Sequence, residues 1–386
     1  MALWAPLFLE LFHQSKRALA QRKIEMKPLA TSSQPRITAI DLFCGAGGFS
    51  LGLEKAGIEV LAAFDCWGKA LETYKENFSH PAFNMDLSKV SSKDVLDSVH
   101  KTPGEIDILV GGPPCQGFSI QRIGDDSDER NNLILKFGKL VRGIKPQLFL
   151  MENVPGLLGK RGKELFNLLL SDLSSEGYNL HYKTINAADY GAPQIRRRVV
   201  LAGWISNENP FELPPPTHPG ENNYISVSEA LGDLPSPPVK IDSSGDRLHR
   251  RTKLSPLNLK RMEAIPPGGG MMDLPDELKV NCHKSGAAKI GHRYVYGRLH
   301  PNEPAPTITA RFDSFTRGKF GHYSEARNIT LREGARLQTF PDDFTFIGNQ
   351  EQVAAQIGNA VPFKVALALS FAAKNFIMSK KLAANN

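Results

Sequence analysis

Residues 37–50, Ile37-Thr38-Ala39-Ile40-Asp41-Leu42-Phe43-Cys44-Gly45-Ala46-Gly47-Gly48-Phe49-Ser50, decide the fold. An apolar run ends in a cluster of glycines, and a helical pattern continues through residue 53. A buried strand, a turn that needs backbone freedom and a helix make the first half of a βαβ unit. The spacing Gly45-x-Gly47-x-x-Ser50 lacks the third glycine of a dinucleotide fingerprint. Asp65 nevertheless closes the next apolar run 20 residues after Gly45, where a ribose-binding acid belongs. A nucleoside cofactor without a pyrophosphate suits that pattern, and so does a plain packing joint between strand and helix.

Outward from this turn the pattern repeats. Strands are expected at 60–64, 82–85 (closed by Asp86), 106–110 and 147–151, with helices at 69–78 and 132–142. One more helix-and-strand repeat covers 163–204. Alternation of this kind implies an α/β fold with a parallel sheet. From residue 207 the texture changes to Pro214-Pro215-Pro216, Pro235-Ser236-Pro237-Pro238 and Pro266-Pro267-Gly268-Gly269-Gly270. Such punctuation marks a second, smaller, loop-rich domain. Regular patterning returns with a helix at 331–338 and a single helix at 353–376 that rejoins the first domain. The expected division is therefore an extension at 1–36, a catalytic domain at 37–205, a loop-rich domain at 206–325 and a return segment at 326–386. In the extension an apolar stretch precedes a basic one, the reverse of a secretory signal; translation from Met26 would suit the sequence equally.

The chain has 386 residues and a net charge of +7, unevenly spread. Residues 1–40 carry +4, residues 241–327 carry +6, and the rest is −3. A near-neutral body with one basic module suits a polyanion held on one face, or simply a solvated surface. No apolar run suggests a membrane span. The four cysteines have neither metal-ligand nor disulfide spacing, so a reducing cytoplasm and no metal are expected.

Two strand exits carry chemistry. The strand at 106–110 leads into Gly111-Gly112-Pro113-Pro114-Cys115-Gln116-Gly117, a stiff loop presenting one thiol. Ligands of open α/β sheets bind at the carboxyl ends of strands, which favours Cys115 as a nucleophile. Taken alone, a free cysteine is more often a small packing residue than a nucleophile. A zinc-deaminase reading fails because Phe118 stands where Pro-Cys-x-x-Cys needs its second cysteine. Glu152 ends the 147–151 strand, where partial desolvation would make it a general acid; a helix cap or ion-pair partner is the plainer alternative. Arg196 and Arg198 alternate on an extended segment and so face the same way.

These motifs, in this order, resemble those of the C5-cytosine DNA methyltransferases. Asp41-Leu42-Phe43-Cys44-Gly45-Ala46-Gly47-Gly48 resembles the family's first motif, and the Pro113-Pro114-Cys115-Gln116 loop its catalytic motif. Glu152-Asn153-Val154 and Gln194-x-Arg196-x-Arg198 match two more. Residues 332–341, from Arg332 to Pro341, and 356–362, from Gln356 to Pro362, resemble the last two. The likeness covers about 37–204 and 327–376.

The resemblance implies a Rossmann-like, S-adenosylmethionine-dependent methyltransferase sheet, with 206–325 as target-recognition domain. It implies S-adenosyl-L-methionine as cofactor, held by Phe43, Gly45, Gly47, Gly48, Asp65, Asp86, Leu133 and Asn359. It implies Cys115, Glu152, Arg196 and Arg198 as catalytic residues acting on a cytosine flipped from double-stranded DNA. A cytoplasmic, nucleoid-associated monomer is expected, either sharing its site with a cognate restriction endonuclease, without a physical complex, or acting as an orphan methylase. Asp65 departs from the glutamate common in the family but keeps the carboxylate. A tRNA cytosine methyltransferase is the runner-up, disfavoured because no Cys-Phe-Thr tripeptide occurs; a silent DNA-binding relative or a nucleotide-dependent oxidoreductase fits less well. If the basic module grips phosphates, affinity for duplex DNA should fall about a hundredfold or more between roughly 50 and 200 mM salt. Filter-binding or anisotropy titrations check this, and salt-independent affinity would contradict it.

Overall fold

In the computed structural model, the described residues are 35–114, 132–205, 210–238, 245–280 and 295–384. Residues 36–386 form one compact unit. Its centre is a seven-stranded sheet of β1 (Thr38–Leu42), β2 (Glu59–Asp65), β3 (Ala82–Asn84), β4 (Ile108–Gly111), β5 (Leu148–Asn153), β6 (Asn179–Asn186) and β8 (Arg197–Trp204). The strand order is β3-β2-β1-β4-β5-β8-β6. The short strand β7 (Gln194–Ile195) lies outside it and pairs with β10 (Ala305–Pro306), while β9 (Gly297–Arg298) pairs with β11 (Lys319–Gly321).

Period-two alternation places successive side chains on opposite faces, and each face has its own core. Ile108, Val110, Leu148, Leu150, Val200, Ala202 and Trp204 face one side, with the helices Gly48–Lys55 and Phe363–Ala384. Leu109, Phe149, Met151 and Leu201 face the other, beneath the helices Asn132–Ile144 and Lys163–Ser175. The strand order reverses between β1 and β4, so the exits of these two strands form the crevice where such sheets bind ligands.

A third core joins parts distant in sequence. Cys44, Leu51, Tyr74 and Phe78 pack with Leu231, Leu299, Ile308, Phe312, Leu337 and Ile357. The loop-rich segment and the return segment thus close over the glycine turn. Segment 206–325 contains only short elements, the longest being the helix Pro256–Ala264 among the described residues.

Three expectations are corrected. The sheet is not wholly parallel, because β8 runs antiparallel to both β5 and β6. The expected single helix at 353–376 is two, Gln350–Asn359 and Phe363–Ala384. Ala360 turns to an extended conformation and Pro362 lacks the donor that would continue the first helix. Where no membrane span was expected, an 18-residue window within Gln350–Ala383 reaches a mean hydropathy of 1.4, enough in length and composition for one. Half of that window is buried, and its apolar side chains belong to the core on the sheet. Gly52 lets the helix Gly48–Lys55 meet Phe363–Ala384: a Cβ there would lie 2.6 Å from the Ala366 carbonyl carbon.

The return segment is fastened by buried polar groups. Arg327 donates to both oxygens of Glu333 (2.7 and 2.8 Å), and His322 faces the same carboxylate at 3.6 Å. The His322 Nδ1 accepts backbone N–H groups from Ser324 (3.3 Å) and Glu325 (3.1 Å), so the ring is held neutral. Burial lowers its pKa to about 4, with Glu333 opposing and Arg327 adding to the shift. The unfolded chain takes up this proton below pH 6.5 and the folded chain only near 4, so stability present at neutral pH is lost as pH falls through that window. Unfolding free energy should drop by on the order of 3 kcal/mol from this group alone. Denaturant titrations of His322→Gln beside the parent should show a flatter pH slope between 6.5 and 4; equal slopes would contradict the assignment.

Candidate active site

The site is built where β4 and β5 end and the antiparallel β8 begins. Gly111 is the last residue of β4 and has no room for a side chain: an added Cβ would lie 2.8 Å from the Phe137 ring and 2.9 Å from the Leu42 carbonyl oxygen. Gly112 lies against the Glu152 carboxylate, 3.7 Å from its virtual Cβ. Asn153 Nδ2 donates to the Pro113 carbonyl at 3.0 Å, and Asn153 Oδ1 accepts from the Val154 N–H at 2.8 Å. The stem of the cysteine loop is therefore bolted to the Glu152-Asn153-Val154 strand end. Cys115 itself lies outside the described residues.

Glu152 is paired with Arg198 at 2.9 Å, and the two side chains are only 13% and 15% exposed. Arg198 also donates to the Arg197 carbonyl at 2.8 Å. A carboxylate beside a guanidinium at a water-poor rim can orient a polar ring edge from two sides.

Arg196 does different work. Its guanidinium is buried and donates to the carbonyls of Ile308 (2.8 Å), Gly358 (2.9 Å) and Ala360 (3.1 Å). Burial lowers its pKa well below the ordinary guanidinium value; Arg198 adds to that shift and Glu152 opposes it. Gln338 Nε2 donates to the Ile357 carbonyl at 2.6 Å. Gln194 Nε2 donates to the Leu337 carbonyl (2.6 Å) and Gln338 Oε1 (2.9 Å), while its Oε1 accepts from Ile308 N–H (3.1 Å). Arg196 and Gln338 thus grip the peptide groups on both sides of Asn359, whose own side chain is exposed, and Gln194 ties Gln338 to Ile308. Sequence reasoning gave Gln194 and Gln338 no role; their signal was an amide inside each motif with no surface reason to be there.

The second rim is the glycine turn. Phe43 (φ 59°), Gly45 (φ 54°) and Gly47 (φ 97°) all adopt left-handed backbone conformations. Gly47 tolerates no side chain, since a Cβ would meet the Phe78 and Tyr74 rings. Asp65 bridges the turn to the next element, accepting from Gly45 N–H through one oxygen and Trp67 N–H through the other, both at 2.8 Å. Burial raises its pKa despite these bonds. The Val361 carbonyl oxygen lies against Gly48, 2.5 Å from its virtual Cβ, at the start of the first helix. Asp86 is exposed, its pKa lowered to about 2 by the Ser88 hydroxyl (2.6 Å) and by Lys89 (3.0 Å). Leu133, half-buried, begins the helix Asn132–Ile144.

An α/β sheet whose strand order reverses between β1 and β4 thus carries two rims, one on the Glu152–Arg198 pair and one on the glycine turn. The family profile described as C-5 cytosine-specific DNA methylase matches residues 37–374. The chain belongs to that family and is an S-adenosylmethionine-dependent DNA cytosine-5 methyltransferase by membership. It is 35% identical to the Type II methylase M.HgiDII of Herpetosiphon aurantiacus over 88% of this chain and 95% of that one. It is also 35% identical to the Type II methyltransferase M.NgoFVII of Neisseria gonorrhoeae, over 86% and 84%. Among solved structures, a DNA modification methyltransferase encoded within an E. coli prophage superposes with a TM-score of 0.65 at 28% identity, covering 88% of this chain and 99% of that one.

The two arginines should separate experimentally. Arg196→Lys leaves one ammonium for three carbonyls and should cost about 2–3 kcal/mol of unfolding free energy. Arg198→Lys keeps a cation beside Glu152 and gives up fewer bonds, so it should cost less, about 1 kcal/mol. Chemical denaturation of both variants checks this; equal losses would contradict the division of labour.

Proposed function

We propose that the chain transfers a methyl group to carbon 5 of a cytosine flipped out of double-stranded DNA, with Cys115 as nucleophile. The single observation that carries this reading is the joint at Gly112, Pro113, Glu152 and Asn153, which ties the stem of the Cys115 loop to the Glu152–Arg198 pair.

When bound, S-adenosylmethionine supplies an electrophilic methyl group on a sulfonium. The residues suited to hold it are Phe43 and the glycine turn, with Asp65 toward the ribose, Asp86 toward the adenine amino group, and Leu133 and Asn359 closing the pocket. The thiolate of Cys115 forms a bond to carbon 6, and the electron pair of the 5,6 double bond moves to carbon 5. Glu152 holds or protonates N3 as that charge develops, and Arg198 faces the ring carbonyl oxygen. Arg196 contributes positive potential behind Arg198 while keeping the Asn359 segment in place. After carbon 5 has taken the methyl group, its proton leaves to a base or water; the electron pair re-forms the double bond and expels Cys115. Flipping the base costs a few kcal/mol, which contacts to the duplex must offset.

Segment 206–325, with its basic excess, serves as the target-recognition region, reading bases while Lys and Arg neutralise phosphates. The Type II character of the relatives supports a place in a restriction-modification system, with an endonuclease sharing the site and no complex between them. A monomer acting in the cytoplasm on nucleoid DNA suits this role.

Methyl transfer from labelled S-adenosylmethionine should go to duplex DNA and not to tRNA. Cys115→Ala should abolish turnover while cofactor binding persists, and Glu152→Gln should lower kcat by about a hundredfold or more. Appreciable turnover by Cys115→Ala would refute the nucleophile.

A further inference from the structure

Beneath the glycine turn runs a chain of polar groups that the methylation reaction does not use. Ser50 Oγ donates to the buried Asp41 carboxylate at 2.6 Å. Tyr74 Oη lies 2.6 Å from Ser50 Oγ and 2.5 Å from His80 Nε2. His80 Nδ1 lies 2.9 Å from Glu54 Oε1, whose side chain is 37% exposed. The chain thus runs from the end of β1 to solvent. Its middle supports the turn directly, since Gly47 packs on the rings of Tyr74 and Phe78.

Proton counting constrains this chain. Four contacts require four protons, one between each pair of heavy atoms. The hydroxyls of Ser50 and Tyr74 supply two, and a neutral imidazole supplies one. With Asp41 and Glu54 ionised and His80 neutral, one contact would set two lone pairs against each other at hydrogen-bond distance. A fourth proton must reside on the chain. Three arrangements satisfy every contact: one has a neutral Glu54 carboxyl donating to His80 Nδ1, and two keep Glu54 as a carboxylate. In one of these two, His80 is an imidazolium donating to Glu54 and Tyr74, and Asp41 is a carboxylate. In the other, the Nε2 proton has passed to Tyr74, the Tyr74 proton to Ser50 and the Ser50 proton to Asp41, leaving a neutral imidazole and a neutral Asp41 carboxyl. Net charge is the same in all three.

Other charged groups around the chain tilt the balance. Asp41 also faces the ionisable groups of Asp65 and Cys44, and Glu54 acts on Tyr74. Burial, with help from Asp65, raises the Asp41 pKa to about 7 against the lowering effect of Ser50, so both arrangements with Glu54 as a carboxylate are within reach. Burial raises the Cys44 thiol further, leaving it neutral.

We propose that Asp41, Ser50, Tyr74, His80 and Glu54 form a one-proton relay that responds to the charge of the ligand on the glycine turn. A cationic sulfonium favours the arrangement with a carboxylate beneath the turn and the proton on His80. The neutral thioether product removes that cation, and the proton returns to Asp41. The relay lets the turn discriminate methyl donor from product by charge, and it rests on the reading of this turn as the cofactor site.

The test uses full-length protein with 15N-labelled histidines at about pH 7.5, where an isolated imidazole is mostly neutral. The His80 signals are assigned by their loss in His80→Gln. Two-bond nitrogen–proton correlations should show His80 doubly protonated with saturating S-adenosylmethionine and singly protonated with S-adenosylhomocysteine. Tyr74→Phe, which cuts the relay while keeping the ring, should abolish the difference. The proposal is overturned if His80 has the same state with both bound ligands, or if the difference survives in Tyr74→Phe. If neither ligand perturbs any resonance, the cofactor reading itself fails and the relay's role with it, a result told apart by the absence of binding.

Discussion

The buried guanidinium of Arg196 is the interaction on which the rest depends. Its three acceptors are main-chain carbonyls from residues 308, 358 and 360, more than a hundred positions away in the chain. A buried cation is costly unless hydrogen-bonded, and backbone carbonyls take donors from both Nη1 and Nη2 while the buried Nε has no partner. The consequence is geometric. The strand end that carries Arg198, the base of the loop-rich segment and the helix break that presents Asn359 have one relative position. Gln194 and Gln338 repeat the same device with amides, so the junction depends on three side chains reading backbone.

From this junction the two rims acquire separate tasks. On one side, Asn153 holds Pro113 and Glu152 meets Arg198, so polar groups converge at the exit of β4. On the other, Asp65 holds Gly45 and Val361 closes on Gly48, fixing the glycine turn at the exit of β1. Arg196 stands between them, electrostatically linked to Glu152 and Arg198 and bonded around Asn359. The arrangement explains why segments at opposite ends of a long chain contribute to one crevice.

Much of this was legible in the sequence because it is local. The apolar runs at 37–43, 60–64, 106–110 and 147–151 carried strand periodicity, and glycines marked the turn where left-handed backbone was required. The reversal of β8 was not legible: an apolar strand reads alike in either direction, and pairing with β5 and β6 decides the matter. The helix break at 360–362 had a signal in Pro362, outweighed by apolar periodicity on both sides. The partners of Arg196 lay beyond local reasoning, since nothing near it in sequence indicates carbonyls so distant. The chain from Asp41 to Glu54 was hidden for the same reason, as its five members come from β1, two helices and a loop.

The central claim is that the loop bolted to Glu152 and Asn153 carries a nucleophile for carbon 6 of cytosine. Covalent capture tests it most directly. In duplex DNA containing 5-fluorocytosine at the methylated position, the carbon-5 fluorine cannot leave as a proton does, so the adduct cannot resolve. Incubation with S-adenosylmethionine followed by proteolysis and mass spectrometry should find the nucleotide on the peptide containing Cys115. Bound DNA and cofactor without an adduct, or an adduct on another residue, would contradict the account.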